Sequence, residues 1–122
     1  MGISTELTTF RVIAGKEPTA ERWMETLRER RSECIETLPR EMMAYESVFK
    51  IIIENRLYLT WFSAQGSDHY DVRSSDHPID QLHLKFWDEC IDKTFSPQEH
   101  THQVTFCLPE VEKVLEGVAN PK

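Results

Sequence analysis

No apolar run in this chain approaches the ~20 residues that a helix needs to cross a bilayer. Positive charge is also short, with 14 Lys plus Arg against 21 Asp plus Glu and a formal net charge of −7. A surface of that sign offers no general grip on a phosphate backbone or an anionic membrane, so nucleic acid and membrane are not expected as partners. Cysteine is limited to Cys34, Cys90 and Cys107, far apart and without CxxC spacing. An odd, scattered set fits neither a disulfide framework nor a closed zinc site, and reduced, mostly buried thiols are expected. Glycine is scarce, and Gly15 and Gly66 stand alone, so there is no phosphate-cradling loop. There is no GxSxG, HExxH or EF-hand pattern, and no cysteine has a base beside it in sequence. Met1 to Glu6 lacks both a basic stretch and the apolar core of an export signal, which points to the cytoplasm.

What is present suits one α+β domain spanning 1–122, with a core over about 6–108. Glu6 to Ile13 alternates as a strand and closes at Gly15. Pro18 and Thr19 open an amphipathic helix, with Thr19 as a candidate N-cap, and Ala20, Trp23, Leu27, Cys34, Ile35 and Leu38 form its apolar stripe. Ala44 to Ile53 and Leu57 to Ala64 read as two strands joined by a hairpin turn at Glu54, Asn55 and Arg56. Gln65 to Ser75 reads as a loop, with one helical turn near Asp68 to Val72. Pro78 should start a second helix running to about Lys93, because proline suits the first helical position. His102 to Leu108 alternates as a last strand, and Pro109 begins a short C-terminal helix over about 109–118.

The resulting β-α-β-β-α-β order is ferredoxin-like: a four-stranded antiparallel sheet with helices on one face, followed by the short C-terminal helix. Both sheet faces are apolar, however. Tyr45, Phe49, Ile51 and Ile53 share one side of the second strand, and Val48 and Ile52 share the other. Leu57, Leu59 and Trp61 likewise oppose Tyr58 and Phe62. Two helices cover one face only, so a second copy packed sheet to sheet is expected, giving a homodimer; the alternative is that the terminal helix folds over the free face.

One string carries most of the remaining information: Ser75-Asp76-His77-Pro78-Ile79-Asp80, leading into Gln81-Leu82-His83. Together with the basic Arg28 to Arg31 segment and the aromatic third strand, it resembles a family of small uncharacterised bacterial proteins. That family is similar to the dimeric α+β barrel superfamily, which includes cofactor-free antibiotic-biosynthesis monooxygenases and muconolactone-isomerase-like enzymes. The resemblance implies the fold and a dimer; it transfers no activity and no cofactor.

At about 100° per residue, His83 falls within the arc of Ile79, Leu82, Phe86, Trp87 and Cys90, with Asp80 on its flank. Both should face the sheet. His83 is either a core histidine with a satisfied hydrogen bond or a base oriented by Asp80. His77 is either a further base or, with Ser75 and Asp76, a helix cap. Arg31 lies within the apolar stripe of its helix, where it snorkels, pairs with Asp76 or Asp80, or holds a ligand carboxylate. Trp61, Tyr58 and Phe62 are candidate walls of a cleft as well as candidate core or interface residues. His77, His83, Asp76 and Asp80, or His100 with His102, contain metal-ligand atoms without a recognised spacing, and no metal or cofactor is expected. The expected function is binding of a small acidic or aromatic metabolite between helices and sheet, with Arg31, Asp80, His83, Trp61 and Tyr58 as contacts. The alternatives are a cofactor-free monooxygenase or isomerase using His83, Asp80, His77 and Arg31, and a structural interaction module.

Overall fold

The four strands line up in the order β2-β3-β1-β4, every neighbouring pair antiparallel, which is the ferredoxin-like arrangement. In the computed structural model, which describes residues 2–66 and 75–119, the strands are β1 (Ser4–Arg11), β2 (Met43–Ile53), β3 (Arg56–Gln65) and β4 (Gln98–Glu99). The helices are α1 (Glu17–Glu29), α2 (Arg31–Thr37), α3 (Pro78–Cys90) and α4 (Pro109–Ala119), with a 3-10 turn at Pro39–Glu41 before β2. The helical turn expected near Asp68 to Val72 lies outside the described residues. Among the described residues no helix is long and apolar enough to cross a membrane.

The β2-β3 hairpin turns on Glu54 and Asn55, whose φ angles of 50° and 64° are both left-handed, as a two-residue type I′ turn requires. Asn55 tolerates that conformation, whereas Glu54 adopts it at a cost of about 1 kcal/mol. The hairpin sets the register, and the register sorts the inner face into two ends. Near the turn Val12 hydrogen-bonds to Leu57 and Phe10 lies opposite Leu59. At the far end Glu6 and Glu46 both lie opposite Ser63. The apolar end is the core: Val12, Ala20, Trp23, Leu57, Leu59, Cys90 and Ile91 are buried, and Phe86, Trp87, Trp61 and Phe10 pack around them. The polar end remains open.

Three expectations need correction. The first helix is not continuous from Thr19 to Leu38. It starts at Glu17, breaks at Arg30 (φ −104°, ψ 33°) and resumes as α2, while Thr19 is buried inside the first turn and accepts from Arg22 Nη2. The apolar spacing on either side of Arg30 is unchanged, so periodicity alone carries straight through the break. The last strand is Gln98–Glu99, opposite Thr8 and Thr9, and not His102 to Leu108. Alternation makes a segment able to be a strand, but a strand also needs a free edge. The chain leaves β1 after His100 N donates to Leu7 O, and Phe106 is 91% exposed. The thiols differ from expectation as well: Cys90 is buried, Cys34 half-buried and Cys107 exposed.

On the outer face Tyr45, Phe49, Ile51 and Ile53 are 49 to 59% exposed, although α4 packs against β2. The terminal helix therefore does not cover this surface, and its own Val111, Val114 and Val118 are exposed as well.

Candidate functional site

A cleft of about 940 Å³ occupies the open polar end of the inner face, bounded by the sheet, α1, α2 and α3. Local structure explains how α3 reaches it. Pro78 occupies the first helical turn and His77 caps it, its Nδ1 accepting from Ile79 N at 3.2 Å. Ser75 Oγ accepts from His77 N, and Gln81 Nε2 donates to Ser75 O, fixing the chain's entry. From that start Ile79, Asp80, His83 and Trp87 fall on the cleft side of α3. The break at Arg30 lets α2 form the opposite wall with Arg31, Cys34 and Ile35.

His83 is held by aromatic rings. Trp23 Nε1 donates to its Nδ1 at 3.0 Å, and the Trp23, Trp61 and Trp87 ring centroids lie 5.4, 5.9 and 6.1 Å from its own. Burial pushes its pKa down to about 4, outweighing the opposing charge of Asp80. The imidazole is thus neutral at pH 7. With Nδ1 accepting, its proton sits on Nε2, which is not among the sealed, unpartnered atoms of the described residues. Asp80 does not orient this ring; Trp23 does. His83 therefore presents a hydrogen-bond donor and not a free base.

The acid chemistry lies in three carboxylates from three different elements. Asp80 of α3 and Glu41 of the 3-10 turn are only 7% and 8% exposed, yet both line the cleft. Glu46 of β2 lies in the same wall; its side chain reaches solvent through the cleft, although protein atoms pack densely around it. Among the described residues none of the three makes a hydrogen bond or ion pair. Burial, then the charges of Asp80 and Glu46, raises Glu41 to about 8. Burial and the Asp80 charge raise Glu46 to about 7. These two groups can hold or release a proton near neutrality, as a general acid or base must.

Sequence reasoning missed Glu41 and Glu46. A signal existed for the second, because strand parity puts Glu46 on the face of Val48, where an acid needs an explanation. For Glu41 there was none, since its burial depends on how the 3-10 turn docks.

Of the expected contacts, Arg31, Asp80, His83 and Trp61 meet in the cleft. Arg31 and its neighbour Arg28 are exposed and pair with none of the carboxylates. Arg30 points elsewhere, to Glu33. Tyr58 does not join the others: it faces the outer side beside Phe95, with ring centroids 5.5 Å apart. Phe62 also faces outward, against Tyr45. His77 is engaged as a cap and its Nε2 lies 3.5 Å from Glu36. His100 and His102 bond to Leu7 O and Thr105 Oγ1, away from the cleft. Among the described residues no group of three or more His, Cys, Asp or Glu side chains is placed to hold a metal ion.

No curated protein and no solved structure matches the chain significantly. Residues 3–113 match a family of unknown function, DUF6176, and the chain belongs to that family.

Proposed function

We propose that this protein binds a small aromatic molecule in the cleft between α1, α2, α3 and the sheet. The observation that carries the reading is the pairing of an indole wall, Trp61 and Trp87, with unpartnered buried carboxylates in a cavity of ligand size. Closely packed cores leave no such space around polar groups without a reason. The expected acidic character of the ligand rested on Arg31, which stands exposed at the cleft with Arg28; the buried ionisable groups of the cleft are carboxyls. Thr8 offers a test, because it lines the cleft and lies opposite Trp61 on a strand that accepts an aromatic side chain. Thr8→Trp should fill the cavity and weaken binding of indole at least tenfold by calorimetry, while the thermal midpoint stays unchanged. Undiminished indole binding in that variant would place the site elsewhere.

A second reading has its own observation. Glu41 and Glu46 have pKa values of about 8 and 7, which suits proton abstraction from an enolisable aromatic compound better than the neutral His83 does. In a cofactor-free enzyme of this kind a carboxylate is the base, and the His83 Nε2–H or Arg31 stabilises the developing anion.

We also infer a homodimer that covers the outer sheet face, which supports placing the chain with the dimeric α+β barrels. Four large apolar residues of β2 are half exposed on that face, and Val104, Phe106 and Leu108 are exposed in the segment before α4. Sedimentation equilibrium should give twice the 14.3 kDa chain mass, and Phe49→Asp should shift the species to a monomer. A wild-type monomer at micromolar concentration would end this reading.

A further inference from the structure

We propose that the floor of the cleft receives a positively charged nitrogen, so that the favoured ligand is an aromatic molecule bearing an ammonium group. This rests on the cleft reading above and names its ligand class. Asp80 and Glu41 are more than nine-tenths buried and line the cleft, and neither has a hydrogen bond or ion pair among the described residues. Glu46 adds a third carboxylate from another element. A buried carboxylate without a partner, as at Asp80 or Glu41, is costly, and a cation beside it removes that cost.

Among the described residues the protein's own cations do not take this position. Arg28 and Arg31 line the same cleft but stay exposed, and among the described residues neither pairs with the carboxylates. The walls favour the same sign. Trp61 and Trp87 line the cleft, and an indole ring attracts a cation over its face, a contact that strengthens as water is excluded. His83 is neutral, pinned by Trp23, and brings no competing positive charge. A ligand carboxylate beside Asp80 would meet like charge, whereas an ammonium finds an acceptor there and favours the ionised form of Glu41 and Glu46 in the same cleft. Any acidic group on the same ligand would find its partners at Arg28 and Arg31.

The test uses the full chain and three probes with one ring system: tryptamine, indole and indole-3-acetate, titrated calorimetrically at pH 7.5. An aliphatic ammonium keeps its proton at that pH. Tryptamine should bind at least tenfold more tightly than indole-3-acetate, and Asp80→Asn should reduce the tryptamine-to-indole affinity ratio about tenfold. Thr8→Trp should weaken tryptamine as well as indole. Tighter binding of indole-3-acetate, or an unchanged ratio in Asp80→Asn, overturns the charge assignment and leaves the cleft reading standing. Tryptamine binding that survives Thr8→Trp overturns the placement, and failure of all three probes overturns both readings. Circular dichroism of each variant checks that it is folded.

Discussion

Trp23→Ala should lower folding stability by about 3–5 kcal/mol, the usual cost of emptying a buried aromatic site. Trp23 is fully buried and joins α1 to both the sheet and α3. It packs against Trp61 at 5.4 Å, stacks on Phe86 at 6.3 Å and meets Trp87 edge to face at 5.9 Å. Its indole N–H also holds His83. Alanine would leave a cavity and an unsatisfied imidazole nitrogen together. A domain of this size holds only about 5–15 kcal/mol in total, so the variant should be near unfolding at 37 °C.

Trp23→Phe separates the two contributions. It keeps an aromatic ring but loses the hydrogen bond and part of the indole's bulk, for which about 1–3 kcal/mol is expected. The same change should raise the His83 pKa, because the Trp23 bond favours the neutral ring. Urea midpoints at unchanged m-value, with the His83 titration followed by NMR, measure both effects. A loss below about 1 kcal/mol for Trp23→Ala would show that the aromatic cluster does not organise the core.

Stability should be highest on the acid side of neutrality and should fall as pH rises from about 5 to 8. Glu41 and Glu46 titrate at about 8 and 7 in the folded chain against an ordinary value of 4.5, so the native state binds their protons more tightly. Their contribution is fully present below about pH 4.5 and is lost as pH rises through the folded values. His83 acts oppositely: its folded value of about 4 lies below the ordinary 6.5, so its contribution is present above 6.5 and is lost as pH falls through 4. Two carboxylates outweigh one imidazole between pH 5 and 8. Asp92, held down to about 2 chiefly by Thr94 and also by Arg11, stays charged throughout this window.

Glu41→Gln should flatten the fall and stabilise the protein at pH 8 by on the order of 2 kcal/mol, roughly 5–10 °C in melting temperature. Melting curves at half-unit pH steps measure this. A profile that rises from pH 5 to 8, or a Glu41→Gln variant that melts lower at pH 8, would show that Glu41 is not held buried and unpaired. Tryptamine at saturation should also flatten the wild-type curve, because a bound ammonium supplies the missing partner.

Much of the architecture was legible because it rests on local chemistry. The hairpin turn around Glu54 to Arg56, Pro78 at the start of α3 and the period-two pattern of β2 and β3 each follow from a few adjacent residues. The inward phase of Asp80 and His83 was legible for the same reason. The break at Arg30 and the departure of residues 100–108 from the sheet were not. Both depend on where a neighbouring element sits, and hydrophobic spacing does not record that.

The sequence by itself determined the order of elements, the ferredoxin-like sheet and which side chains turn inward, because helix and strand periods are properties of consecutive residues. Only the tertiary structure decided that Trp23, and not Asp80, orients His83, and that Glu41 and Glu46 join Asp80 in one cleft. Those carboxylates are distant in the chain, and the raised pKa values of Glu41 and Glu46 come from burial and neighbouring charge, which exist only once the elements are packed.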